Sequence, residues 1–183
     1  MELVALTKQQ LDYLAKQDPH LKSIFVGVFA ADRLPSKPDL YEPQAYIVNT
    51  DSHDQPGSHW ISFYTHQGDC EVMDSYGIPL SWYRSALVPW LNRQEFERIL
   101  CNGVPLQSLD SNACGHYALM YLKYKARGKT MKDFVNCFDR DYVMNDHRVG
   151  HQVERLIVNE MYVKTLGMNP KQQSNFRKVD LDV

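Results

Sequence analysis

The chain has 183 residues, 44% of them hydrophobic and 23% charged, with a formal net charge of −2. These values suit one globular domain over 1–183, able to bury roughly 70% of its unfolded surface without disulfides or metal. They argue against a protein that coats nucleic acid, which needs a strong cationic excess.

The opening MELVALTKQQ has no cationic stretch followed by an apolar core, so no signal peptide is expected. No apolar run reaches the roughly 18 residues of a membrane span. Thr7 and Gln10 form a capping-box pattern ahead of Leu11, Leu14 and Ala15, and Asp18-Pro19 closes that helix. Ile24 to Ala30 reads as a buried strand. Pro35, Pro38 and Pro43 mark an irregular loop, and Ala45 to Asn49 is a second strand. After the polar Thr50–Ser58 loop, His59 to Tyr64 is a third strand and Cys70 to Asp74 a fourth. The tight connection between the last two predicts a hairpin.

Ser81 to Leu100 reads as largely helical, with a kink or break at Pro89. Val104 to Gln107 is a short extended piece. Asn112 to Arg127 is a helix with Ala118, Leu119, Leu122 and Ala126 at helical spacing, stopped by Gly128. Thr130 to Asp133 caps a short helix through Phe138. Asn145 to Val163 forms another, with Val153, Leu156, Ile157 and Met161 on one face. The polar tail from Asn169 is expected to be loosely held. Helix, then strands, then helices is an α+β order.

Cys70, Cys101, Cys114 and Cys137 are scattered without CxxC spacing. That pattern offers neither a disulfide framework nor a local zinc site, and predicts reduced thiols in an intracellular compartment. Any one of them could be reactive. Cys114 begins the Asn112–Arg127 helix, whose N-terminal partial positive charge favours thiolate over thiol. Gly115 beside it would leave room for a substrate backbone. A small buried hydrophobe is the plainer reading of such a cysteine.

His59 stands at a strand end beside a loop, where a base can face a cleft, or simply lie exposed. Asp74 ends the next strand, so hairpin pairing would bring its carboxylate to the His59 ring, although Asp-Ser-Tyr-Gly is also a turn sequence. Gln107, seven residues before Cys114, could aim its amide at an oxyanion together with the Cys114 N–H, or be an ordinary polar residue.

Together these segments resemble the adenovirus-type maturation cysteine proteases (adenain, with relatives in Polinton/Maverick elements and adintoviruses). The resemblance runs from Ile24 to Leu122. It includes Ile24–Phe29, Arg33-Leu34-Pro35, Ala45–Thr50, Gly57-Ser58-His59-Trp60, Cys70–Gly77, Gln107 and Asn112-Ala113-Cys114-Gly115. It implies a papain-like, circularly permuted α+β fold of the adenain/Ulp type, with a mostly antiparallel sheet flanked by helices. It also implies His59, Asp74, Gln107 and Cys114 as the catalytic set. Adenain has Glu where Asp74 stands, whereas Ulp-type relatives use Asp. The connections before Asp74 and Gln107 are shorter here. His116 replaces an apolar residue and is expected to be exposed.

The resemblance further implies a cysteine endopeptidase acting on viral capsid or core precursors at small, Gly-containing sites. Its chemistry needs no cofactor, and it works as a monomer in the host nucleus or virion, with a short peptide or DNA as activator. The family's peptide-linked cysteine role is not carried to Cys101. Lys123, Lys125, Arg127, Lys129 and Lys132 form a basic run that could meet DNA, or be a solvated face. Trp60 would wall the cleft beside His59. A Ulp-type deSUMOylase or deubiquitinase would use the same chemistry, and a non-catalytic binding module would keep the fold alone.

Overall fold

The computed structural model describes residues 3–83 and 87–166, with side chains in the last helix described through Val158. The elements are α1 (Lys8–Gln17), β1 (Phe25–Ala30), β2 (Gln44–Asn49), β3 (Trp60–His66), β4 (Asp69–Met73), α2 (Val88–Arg93), β5 (Arg98–Cys101), α3 (Cys114–Lys125), α4 (Met131–Val135) and α5 (Tyr142–Leu166). Short 3-10 turns lie at Ala31–Arg33 and Leu80–Tyr83.

The five strands form one sheet in the order β1-β2-β3-β4-β5. β2/β3 and β3/β4 are antiparallel, whereas β1/β2 and β4/β5 are parallel. The sheet is therefore mixed rather than mostly antiparallel. Parallel neighbours require a crossover, which the 31–43 loop supplies on one side and the α2 segment on the other.

Alternation along the strands sorts side chains onto two faces. Ala45 and Ile47 of β2, with Val28 and Met73, face a core built with Leu11 and Leu14 of α1, most of α3, and Val149 and Val153 of α5. Tyr46 and Val48, with Ile61, Phe63, Cys70 and Val72, face a second core closed by Leu87, Trp90 and Leu91. β2 is thus covered on both sides, which explains its unbroken apolar run. In α3 every residue from Gly115 to Lys123 is buried. A helix covered all round belongs in the centre of a fold, and the single apolar stripe read from the sequence understated that.

Both predicted capping boxes form. The Thr7 hydroxyl accepts the Gln10 N–H and Thr130 accepts the Asp133 N–H. The β3–β4 connection places Gln67 (φ 52°) and Gly68 (φ 82°) in the left-handed region, the type I′ geometry that matches strand twist. α5 begins earlier than the sequence suggested, because Asp141 accepts the Met144 N–H at 3.0 Å and acts as a cap. Met161 and the tail from Asn169 lie outside the described side chains.

The Ser81–Leu100 helix does not form as expected. Within it α2 has only six residues, with Pro89 in its first turn, where a missing N–H costs nothing. Gln94 then turns extended, and Arg98 to Cys101 joins β4 as the edge strand. The Arg98 guanidinium grips Asp69 through Nε and Nη2, pinning that register. Val104 to Gln107 forms no strand. Its Leu106 and Gln107 N–H groups both donate to the Ser75 carbonyl, at 2.8 and 3.0 Å.

Candidate active site

Hairpin pairing carries His59 and Asp74 to the same end of the sheet. His59 precedes β3, and its carbonyl accepts the Thr50 N–H at 2.9 Å. Gly57, two residues earlier, has φ +85°, and a Cβ there would lie 2.8 Å from the Asn49 amide nitrogen. Glycine is required for the approach that sets His59 at the strand end.

His59 Nε2 donates to Asp74 Oδ1 at 2.8 Å, and both side chains are buried. Its other nitrogen, Nδ1, is buried without a hydrogen-bond partner, and the Cys114 thiol is near enough to act on the ring's proton affinity. Burial opposes charge on His59. The Asp74 hydrogen bond and the Cys114 thiol outweigh it and raise the pKa to about 9. Asp74 is shifted the other way. Burial favours its neutral form, but His59, Tyr83 and the Tyr76 N–H together hold it below the ordinary carboxylate value.

Asp74 is fastened well beyond its histidine. The Tyr83 hydroxyl donates to Oδ2 at 2.8 Å, and the Tyr76 N–H donates to Oδ1 at 2.9 Å. Asn102, just past β5, accepts the Asp74 N–H at 2.9 Å and donates to the Asp74 carbonyl at 2.7 Å. The two contacts extend the β4/β5 ladder by one step through a side chain. Neither Tyr83 nor Asn102 was identified from the sequence. The strand that delivers Asn102 had been read as helix, and no local pattern marks a tyrosine that reaches an acid nine residues away.

Cys114 is half-buried at the first residue of α3, where unpaired backbone N–H groups gather. Gln107 is almost fully buried and its amide is oriented at both ends. Oε1 accepts from Ser75 Oγ at 2.6 Å, and Nε2 donates to the Ser111 carbonyl at 2.7 Å and to the Tyr76 hydroxyl at 3.2 Å. The Tyr76 ring stacks on the His59 ring, with centroids 4.8 Å apart. The structure therefore brings His59, Asp74, Gln107 and Cys114 around one site, with Tyr76 lying between the imidazole and the Gln107 amide.

Several neighbours differ from expectation. Gly115 does not leave open space, since a Cβ there would sit 3.3 Å from Leu6 and from Trp60. Trp60 packs on the core and donates from Nε1 to the Leu6 carbonyl at 3.1 Å, so it buttresses the first turn of α3. His116 is buried rather than exposed, and burial lowers its pKa to about 4. The helix surface it occupies is covered on all sides, which the sequence spacing did not reveal.

The basic run is largely spoken for. Lys123 and Arg127 both meet Asp18, at 3.4 and 2.8 Å, and Lys125 meets Glu71 at 2.9 Å. Lys129 and Lys132 are exposed. No described helix is long and apolar enough to cross a membrane.

No protein-family profile and no curated protein matches the sequence. Among solved structures, the chain is similar to the ASFV pS273R protease. The TM-score is 0.52 at 17% identity, over 80% of this chain and 66% of that one. The Se-Met form of that protease gives 0.49 at 17% identity, over 80% and 67%. The chain thus spans about two thirds of that protease's length. With its mixed five-stranded sheet, flanking helices and central α3, this chain has the α+β, Ulp/papain-like cysteine protease fold.

Proposed function

We propose that the chain is a viral-type cysteine endopeptidase in which Cys114 is the nucleophile and His59 its base. The observation that carries this reading is the His59 ring. One nitrogen is tied to Asp74 at 2.8 Å, the other meets no hydrogen-bond partner in the structure, and the Cys114 thiol is close enough to raise the ring's pKa. A ring so held keeps one nitrogen available to take the proton of the thiol.

The thiolate attacks the scissile carbonyl and forms a C–S bond as the carbonyl oxygen takes up charge. The Gln107 amide and the Cys114 N–H stabilise that oxygen, at about 3–4 kcal/mol per donor in comparable sites. For this the Tyr76 hydroxyl yields its place on Gln107 Nε2 to the substrate oxygen. His59 hands its proton to the departing amine as the C–N bond breaks. Water, deprotonated by His59, then attacks the thioester and releases the acid. Asp74 keeps the ring in one tautomer and stabilises its charge.

By the resemblance, the substrates are structural precursors cut at small, Gly-containing sites in the nucleus or virion. A short peptide or DNA would act by ordering the site, shifting a population already present. The exposed Lys129 and Lys132 are the cations of the basic run left for DNA.

The first test is labelling by dilute iodoacetamide across pH, read by mass spectrometry. Cys114 should label fast well below pH ~8.5, the range of an ordinary thiol, and His59→Ala should abolish the advantage. Cys114→Ala should stop cleavage of a fluorogenic Gly-Gly peptide while the chain stays folded. An ordinary thiol profile, unchanged by added DNA or peptide, would sink the reading. Faster release from a SUMO or ubiquitin conjugate than from the peptide would move the substrate to folded modifiers.

A further inference from the structure

Asp146 is a buried acid for which the steps above have no use. It lies in the first turns of α5, far from Cys114 in sequence, yet its carboxylate reaches the segment that carries both oxyanion donors. Oδ2 accepts the Ser108 N–H at 3.2 Å and Oδ1 accepts the Tyr117 hydroxyl of α3 at 3.0 Å. The Ser111 hydroxyl lies near enough to the same carboxylate to favour its charged form. The Tyr117 hydroxyl is also 2.9 Å from the Leu106 carbonyl, but Asn145 Nδ2 donates to that carbonyl at 3.1 Å, so the tyrosine proton can serve the acid.

The two serines bracket the segment that matters. Ser108 directly follows Gln107. The Ser111 carbonyl accepts Gln107 Nε2 at 2.7 Å, and Ser111 Oγ accepts the Ala113 N–H at 3.1 Å, one residue before Cys114. Between them Leu109 is 85% exposed and Asp110 is exposed, so the loop has little apolar packing of its own. Its position depends on polar ties, and Asp146 receives the one at Ser108 while it also holds α3 through Tyr117. A carboxylate, which only accepts, takes a donor on each oxygen, which an amide with its single acceptor oxygen cannot match.

We propose that Asp146 is a positioning residue for oxyanion stabilisation. It fastens the 108–111 loop to α5 and α3, and so fixes the Gln107 amide and the Cys114 N–H relative to each other. The proposal rests on the peptidase reading, and its test separates the two. Iodoacetamide consumes the thiolate by displacement at a saturated carbon, with iodide leaving and no oxyanion formed. The p-nitrophenyl ester of an N-blocked Gly-Gly acylates the same thiolate through an oxyanion, as a C–S bond forms, the C–O bond breaks and p-nitrophenolate leaves.

In Asp146→Asn, ester turnover should fall about 10- to 100-fold, the scale of a misplacement near 1 Å. KM should stay within about twofold, as for an interaction made in the transition state. The rate of Cys114 alkylation should be unchanged. Unaltered turnover in a folded variant would overturn the proposal, as would equal losses of turnover and alkylation, which would mark Asp146 as support for the whole fold. If Asp146→Asn does not fold, Tyr117→Phe removes the α3 donor to the same carboxylate and should separate turnover from alkylation in the same way. Equal effects there would also overturn it. Failure of the unsubstituted chain in both reactions would instead remove the peptidase reading.

Discussion

Asp74 makes hydrogen bonds through both carboxylate oxygens and through both of its backbone groups. Its roles can therefore be separated by substitution. Asp74→Asn keeps the shape but loses the charge that orders the imidazole, and should lower kcat by as much as about 10⁴-fold while some nucleophile survives. Steady-state kinetics on the Gly-Gly peptide would check this, and equal activity would remove the acid assignment. Tyr83→Phe leaves the carboxylate charged but deprives Oδ2 of its donor. It should cost about 1.5–3 kcal/mol of stability, the range for hydrogen bonds to charged groups, in denaturant titration. The four candidate residues could be named from the sequence because the resemblance joins them in one order, whereas each alone read equally well as an ordinary residue. The groups that hold them could not be named. Asn102 and Asp146 act across 28 and 38 residues of chain, and nothing local announces such contacts.

Among the elements, β1 to β4 were readable as short apolar runs bounded by turn residues, and α3 by helical spacing ended at Gly128. α2 and β5 were not. A proline early in a segment is compatible with a helix, and only the Arg98–Asp69 grip and the open edge of β4 decide that Arg98 to Cys101 pairs instead. The consequence reaches the site, because β5 delivers Asn102 to Asp74. The turn after Asp74 is equally constrained. Gly77 has φ +63°, and a Cβ there would lie 2.5 Å from the Val104 carbonyl carbon. Gly77→Ala should destabilise the chain by at least about 1–2 kcal/mol from backbone strain alone. It should also push away the segment leading to Gln107, so turnover should fall together with the thermal midpoint. A variant of unchanged midpoint would show that the Val104 segment yields freely.

At the scale of the molecule, the opposed shifts of His59 and Asp74 define a pH window for stability. His59 is raised from 6.5 to about 9. Its contribution is complete below pH 6.5, declines above it, and is lost as pH passes about 9. Asp74 is lowered, so its contribution is present above its ordinary value of 3.8 and is lost as pH falls through the depressed one. Thermal midpoints should therefore drop between pH 6.5 and 9, and His59→Ala should flatten that drop. A slope unchanged by the substitution would show that the shift belongs to another group. The arrangement of the chain also bears on when activity appears during synthesis. The acid and the base share one hairpin, a local structure that can form within microseconds. Cys114 rides on α3, which is enclosed on every side by a core that takes in residues of α1 and α5. Under the peptidase reading, a half-folded chain would hold the base without its thiol, and cleavage would wait for α3 to be seated.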